Sequence, residues 1–476
     1  MAAGVRRAAD LLKRSWQAHK WLYLLLGVAF VAYCVVSISK HVHFQSTGYD
    51  LTIFDQAIRH YSQFKEPASS LRGFENLLGD HFHPILAVLA PLYWLMDSPV
   101  VLLVAQAALV TFAALPVFLY ARRRFGERVS LALTTVFLAN ASLINLIHFD
   151  FHEIAFAVPL IAWGLYFMET RRWVWLYACL GLLLLTKESF GLYVATVGLY
   201  VALFKGERVR GLLIAVAGIA AFFVTTKLLI PHFAGGTAHG YWTYTGLGAD
   251  LPSALLTIAT NPLMALGMFF VPFVKLATLV KSFGVFLFLP LLSPIVLLSV
   301  PLLAERFLST NENYWQSGYH YGATIVPILA FAFISVLHKI ATTNRIKPSW
   351  RVGSVRAIVV LSLLLTAAFA LRTPATAVFD PANYSLSNDE KAGYALIGKI
   401  PSDASVCTTN HVAPHVGKHD LILLGFNRES PVNVDCEYFL VSNVRDQSPY
   451  LREREVIDAN RFTVVECRET WCLYGR

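Results

Sequence analysis

Long apolar runs alternate with short polar intervals from residue 21 to residue 371. The runs fall at 21–39, 100–120, 131–147, 154–168, 174–185, 190–204, 212–230, 262–279, 283–303, 321–337 and 355–371. They predict about eleven transmembrane helices, since a helix can cross a hydrocarbon core of about 30 Å while satisfying its own backbone hydrogen bonds. The run at 85–96, opened by Pro84, is too short to cross and predicts an interfacial or re-entrant helix. From Arg372 onward apolar patches are short and charges are ordinary in number. Ser387 followed by Glu390 is a capping box and predicts a helix to about Lys399. Short strands are expected at 404–408, 421–424, 438–442 and 462–466. The fold class that follows is an all-α polytopic membrane domain, 1–372, and a small α/β domain, 373–476, of ordinary domain size.

Composition supports the membrane reading. The 476 residues are 56% hydrophobic and 14% charged, with mean hydropathy +0.55, too apolar for a soluble globular chain. The net charge of +9 comes from Lys and Arg in short loops rather than on one basic face, which argues against a nucleic-acid partner. The basic N-terminus and the loops at 121–128, 169–173, 205–211 and 338–351 belong on the inner side. That places the N-terminus inside, the C-terminal domain outside in the cell envelope, and the first outer loop at 41–98. Cys34 and Cys179 lie within apolar runs. Cys407, Cys436, Cys467 and Cys472 lie in the outer domain, where disulfides form. Of the three connectivities open to four cysteines, Cys467 with Cys472 across a tight hairpin and Cys407 with Cys436 is the expected one.

With the topology set by basic loops, acids and imidazoles fall outside. The first outer loop carries Asp50, Asp55, His81 and His83. Later outer turns carry His148, His152 and Glu153, then Lys187 and Glu188, then His232, His239, Arg306, Glu312, Tyr319 and His320. Ionisable groups beside a bilayer are costly unless they face protein or water, so their gathering on one face marks a site. Plainer readings stand beside this one. A lone loop histidine is simply solvated, Asp50 and Asp55 could cap an interfacial helix, and Lys187 with Glu188 could be a structural pair. His81 with His83 on an extended chain, or His148 with His152 on a helix, has spacing compatible with a metal. Asp50, Asp55, His81, His83, His148 and His152 are therefore the candidate ligands of a possible divalent metal. Lys187 is a candidate point charge for a lipid phosphate. The 33 Phe and 20 Tyr are mostly lipid contact and interfacial belt.

YDLTIFDQAIRHY, GDHFHPILAVLAPLYWL and AQAALVTFAALPVFLYARRRFG, with FHEIAFAVPL, LLTKESFGLYVATVGLY, GYHYGATIVP and IPSDASVCTTNHVAPHV, resemble a family of bacterial and archaeal membrane proteins of unknown function. That family resembles the GT-C superfamily of lipid-linked sugar transferases, including protein mannosyltransferases and aminoarabinose transferases. In the GT-C pattern an Asp opens the first outer loop, an aromatic residue follows, a His-Pro step starts an interfacial helix, and a span ends in an Arg-rich turn with Phe-Gly. Asp50, Phe54, His83-Pro84 and Arg122–Gly126 occupy those places. The resemblance implies inverting transfer of a sugar from a polyprenyl-phosphate donor, with Asp50 as general base. The second acid of the usual dyad is absent at Leu51, leaving Asp55 as the candidate substitute. The substrate-binding candidates are His81, His83, His148, His152, Glu153, Lys187, Glu188, Tyr319, His320 and Arg306.

Elementary chemistry asks for the same parts. A carboxylate takes the acceptor proton while a cation steadies the departing phosphate, so one base and one clamp suffice, and Lys187 or Arg306 would serve as the clamp. The acceptor would be a cell-envelope glycan or lipid, and the donor's tail would lie between spans. A transporter or flippase of a lipid-linked or anionic substrate is the alternative, and it predicts ionisable groups at the midplane of repeated halves. A non-catalytic scaffold predicts no pocket. The topology makes a direct prediction: a reporter active only outside the cytoplasm should work when fused after Tyr384 and fail after Arg124. The opposite pattern would place every functional loop in the cytoplasm.

Overall fold

The first helix, Ala2–Val42, leaves helical geometry at His19, and its apolar part, His19–Val42, is long enough to span a bilayer. A computed structural model of the chain describes residues 2–236, 240, 242–345, 347–425, 430–445, 448 and 450–476; His239 lies outside the described residues. After the first span, the turn Gly48–Thr52 feeds the helix Ile53–Ser62, which buries Ile53, Phe54, Asp55, Gln56, Ala57 and Ile58. The short apolar run after Pro84 forms the turns Pro84–Leu89 and the short helix Ala90–Tyr93, shorter than a span.

Val100–Arg122, Arg208–Phe233, His320–Thr342 and Trp350–Ala370 join the first helix as continuous apolar spans. Glu127–Leu138 and Ala141–Phe149 form a pair bent by 44°. The bend is stabilised where Asn140 accepts a hydrogen bond from the Ser142 amide at 3.0 Å and restarts the helix. Counting the bent pair as one, six spans pass by length and composition among the described residues. Ile154–Glu169, Trp173–Leu184 and Phe190–Phe204 match expected spans but are shorter.

The expected continuous helices at 262–279 and 283–303 are not formed. The chain instead runs through Leu251–Thr260, Pro262–Gly267, Phe273–Gly284, the single turns Leu289–Leu292 and Pro294–Ser299, and Val300–Phe307. Pro262, Pro272, Pro290, Pro294 and Pro301 explain the fragmentation, because proline lacks an amide donor and clashes with the preceding turn. Hydropathy registers the apolar run and is blind to those breaks.

Phe190–Phe204 and Arg208–Val224 make the tightest helix pair. A Cβ at Gly198 would stand 2.3 Å from the Ala215 nitrogen, and one at Gly218 would stand 2.5 Å from the Ala195 nitrogen. Small residues let the backbones touch, which is how helices associate where lipid removes the hydrophobic drive. The main core gathers Tyr33, Phe137, Phe286, Phe331 and Phe333 from distant segments.

The C-terminal region forms a five-stranded sheet of β1 (Val406–Thr408), β2 (Leu421–Leu423), β3 (Tyr438–Ser442), β4 (Thr463–Arg468) and β5 (Trp471–Gly475), in the order β2-β1-β3-β5-β4. β1 is parallel to β2 and β3, whereas β5 is antiparallel to β3 and β4. β5 was not expected from the sequence, because its brief alternating stretch closes the chain with no turn signal after it. The helix Asn388–Ile397 carries the expected capping box. Both expected disulfides, Cys407–Cys436 and Cys467–Cys472, are present. The region docks on the end of the first helix, where the Phe44 ring lies 4.0 Å from His415 and 4.7 Å from both Tyr394 and Trp471, centroid to centroid.

The two disulfides close loops of 29 and 5 residues. Loop-closure entropy then gives about 3–4 kcal/mol for the first and about 2 kcal/mol for the second. The double variant Cys407→Ala/Cys436→Ala is expected to lower the unfolding midpoint of this region more than Cys467→Ala/Cys472→Ala does. Scanning calorimetry of purified protein with the two losses in the reverse order would count against that account.

Candidate functional site

Four turns converge: the one holding Asp50, the one between Phe149 and Ile154, the one between Leu184 and Phe190, and the turn His320–Gly322. Asp50 Oδ2 stands 3.8 Å from His152 Nε2, with 27% of the Asp50 side chain still accessible. The His152 and His320 rings stack with centroids 3.8 Å apart. Asp50, His152 and His320 each offer one ligand atom, all within 4.8 Å of one another. Neither ring nitrogen of His320 has a hydrogen-bond partner among the described residues, although the residue is only 1% exposed. An unsatisfied buried polar group costs about 1–3 kcal/mol, which a ligand on the imidazole would relieve. Two imidazoles and a carboxylate suit a divalent ion such as zinc and leave a coordination position for substrate.

A charged layer backs this triad. His152 Nδ1 lies 2.8 Å from Glu153 Oε2, and Glu153 Oε1 lies 3.4 Å from Lys187 Nζ. Glu188 accepts from His81 Nδ1 at 2.8 Å and from the Phe82 amide at 3.2 Å. Burial pushes the Asp50 carboxyl above its usual range, and the nearby His152 offsets this only in part. Burial also works on Glu153 and Glu188, but their cationic neighbours outweigh it. His152 and Lys187 hold Glu153 well below the usual range, and His81 with Lys187 holds Glu188 at about 2. For Lys187, burial would favour the neutral amine, yet Glu153, Glu188 and Glu305 outweigh it and keep the ammonium charged. His83 is pushed down to about 4, chiefly by burial.

Lys187, Glu305, Arg306, Tyr314, His320 and Tyr321 line a cavity of about 40 Å³ beside the triad. Arg306 is 4% exposed; its Nε donates to the Tyr314 carbonyl at 3.0 Å and its Nη2 to the Gln316 carbonyl at 3.3 Å. Its Nη1 has no partner among the described residues.

The structure thus brings Asp50, His152 and His320 together, with Glu153, Lys187, Glu188, His81 and Arg306 around them. Tyr319 stacks edge-on against Phe149 at 5.6 Å and reaches Asn313. Other candidates fall elsewhere. Asp55 accepts from the Tyr93 hydroxyl at 2.5 Å and from Arg59 at 3.3 Å, so both its oxygens are engaged. Asp55, His81, His83 and His148 lie outside the metal-compatible triad, whereas His320 lies within it. His232 is exposed at the end of its span.

Three contributing residues went unnoticed in the sequence. Gln106, buried within a span, donates to the Leu146 and Asp150 carbonyls at 3.0 and 2.7 Å and accepts from the His152 amide at 3.1 Å. It fixes the turn that presents His152. Asp150 binds Lys40, Ser46 and the Thr47 amide at 2.9, 2.7 and 3.1 Å. Glu305 joins the Lys187 cavity. A polar residue inside an apolar run was the available signal for Gln106, and adjacency to His148 and His152 for Asp150.

Residues 40–469 match the family described as "Predicted membrane protein (DUF2079)". The chain shares its fold with ArnT from Cupriavidus metallidurans bound to undecaprenyl phosphate, at 14% identity and TM-score 0.57 over 96% of this chain and 98% of that one. The apo form of ArnT gives 13% identity and TM-score 0.58 over the same shares. The archaeal oligosaccharyltransferase AglB from Archaeoglobus fulgidus is more distant, at 11% identity and TM-score 0.45 over 90% of this chain and 70% of that one. No curated protein sequence matches.

The triad predicts a metal site that can be read without any assay of activity. Protein equilibrated with zinc and desalted should retain the ion, and Asp50→Asn, His152→Ala and His320→Ala should each abolish retention. Glu153→Gln, acting through His152, should weaken it by about 10–100-fold. Unchanged zinc content by elemental analysis in all three ligand variants would remove the metal from the site.

Proposed function

The chain belongs to that family of membrane proteins, and from this premise we propose that it is an integral membrane glycosyltransferase. It would move a sugar from a polyprenyl-phosphate donor to an acceptor hydroxyl on the outer face, with the N-terminus inside and the region from 373 onward outside. The observation that carries the reading is Asp50, set at the mouth of the first outer loop against His152 and His320 and beside the Lys187 and Arg306 cavity. The ArnT fold, which accommodates undecaprenyl phosphate in that protein, supports it.

Asp50 takes the proton as the acceptor oxygen bonds to the anomeric carbon, and the bond from that carbon to the phosphate oxygen breaks on the opposite face. The carboxyl's raised proton affinity suits a general base, because a base is most effective when its pKa approaches the working pH. Lys187 and the unpartnered Nη1 of Arg306 receive the charge developing on the phosphate. Asp50, His152 and His320 would hold a divalent ion, which supplies a further positive charge to phosphate oxygens when bound. Glu153 orients His152 and balances Lys187. A carrier for the same lipid would concentrate ionisable groups at the midplane of repeated halves; here they gather at helix ends.

Asp50→Asn keeps the size of the side chain and removes the basic lone pair. With undecaprenyl-phosphate sugar as donor and no divalent ion present, turnover is expected to fall by roughly 10²–10⁴-fold with donor binding little changed. Lys187→Ala is expected to weaken donor binding instead. Full turnover in Asp50→Asn would defeat the assignment of the base, and full turnover in both Asp50→Asn and Asp55→Asn would defeat the enzyme reading.

A further inference from the structure

A second cavity lies apart from the triad, where the first outer loop meets the C-terminal sheet. It is about 400 Å³, within the range of about 300–1,000 Å³ common for small-molecule sites. One wall is the helix Ile53–Ser62, which follows Asp50 and contributes Gln56 and Arg59. The other is the loop before β2, with Lys418, His419 and Asp420; Phe74 and Glu75 of the first loop also line it. We propose that this cleft is a saccharide-binding subsite that takes an uncharged, polyhydroxylated sugar unit of the acceptor.

Its polar groups form a complementary pair. His419 is 4% exposed, and its Nδ1 stands 2.9 Å from the Ala404 carbonyl, which can only accept, so Nδ1 carries the proton. Nε2 is then a lone-pair acceptor, and it has no partner among the described residues. The Nε of Arg59 is a buried donor and is equally unpartnered, although both terminal nitrogens of that guanidinium engage acids, Asp55 and Asp97. An unpartnered acceptor and an unpartnered donor on two of the lining residues suit hydroxyl groups, each of which both donates and accepts. With Arg59 engaged by Asp55 and Asp97, the lining leaves Lys418 against Glu75 and Asp420, so no surplus of positive charge is there to draw an anion. Phe74, half-buried, presents an aromatic surface to the apolar C–H face of a pyranose.

The walls are held in register before any ligand arrives. Gln56 Nε2 donates to Ser70 Oγ at 2.9 Å and to the His419 carbonyl at 3.3 Å, while its Oε1 accepts from Ser69 Oγ at 3.0 Å. Ser70 Oγ also accepts from the Leu421 amide at 3.0 Å. Gly417 is so close that a Cβ there would meet Asp55 Oδ2 at 2.5 Å. One side chain therefore ties helix, hairpin and domain loop together, and such preorganisation lowers the ordering cost of binding. The role of the sugar as acceptor rests on the transferase reading; the binding does not.

The test uses the full chain in nanodiscs with methyl β-glucoside, methyl α-mannoside and methyl β-galactoside as probes, followed by saturation-transfer NMR. At least one glycoside should bind. His419→Ala and, at a more exposed position, Phe74→Ala should each weaken that binding about tenfold, the effect of losing one good contact. Lys187→Ala should leave it unchanged. Absence of binding by all three probes, binding untouched in both cleft variants, or displacement of the glycoside by undecaprenyl phosphate would overturn the proposal. A monoglucosyl diacylglycerol placed in the nanodisc distinguishes the source: cleft-dependent binding tighter than that of methyl β-glucoside identifies a lipid-borne sugar, and equal binding a free glycan. Either supports the subsite. Undecaprenyl-phosphate binding is measured separately, so its absence with cleft-dependent glycoside binding intact would sink the transferase reading alone.

Discussion

The buried carboxylate of Asp150 joins two of the four chain segments from which the site is made. It holds Lys40 at the C-terminal end of the first helix, together with Ser46 and the Thr47 amide just before Asp50, and it lies two residues before His152. Removing one partner of a buried ion pair costs about 3–5 kcal/mol, because the other charge is left uncompensated. The distance between Asp50 and His152 is therefore set by an interaction outside the triad. Gln106 braces the same turn from within a span, where few other groups could satisfy its amide.

Around this joint the site resolves a conflict between charge and burial. Glu153, Glu188 and Glu305 crowd one ammonium, Lys187, while the His152 and His81 rings stand at 2.8 Å from Glu153 and Glu188. Each group is expensive alone in such surroundings, and the set is tolerable because every member has an opposite neighbour. Asp50 stands at the edge of this network, partly accessible and with its proton affinity raised.

The C-terminal domain is tied to the same region. Phe44, two residues beyond the end of the first helix, is enclosed by Tyr394, His415 and Trp471, while Arg445 reaches both the His43 carbonyl and Glu390. Gly48 donates to the Asn410 carbonyl at 2.7 Å. The domain therefore grips the short linker between the first span and Asp50, and its β2 loop forms a wall of the saccharide cleft. Through these contacts the domain and the segment that presents Asp50 are held together.

Much of this was determined by local chemistry alone. The order of apolar runs, the capping box at Ser387 and Glu390, four of the five strands and both disulfides were legible because each depends on residues close in sequence or on simple pairing. Asp50, Lys187 and the HFDFHE turn could be singled out because charge is conspicuous beside lipid. Tertiary structure decided what each of them does. It separated Asp55 into a contact with Tyr93 and Arg59, and brought His320 from 168 residues away onto His152. It recruited Gln106 and Glu305, and broke two apparent spans at their prolines. Hydropathy averages over a window and cannot register which long-range partner satisfies a buried carboxylate; only packing determines that.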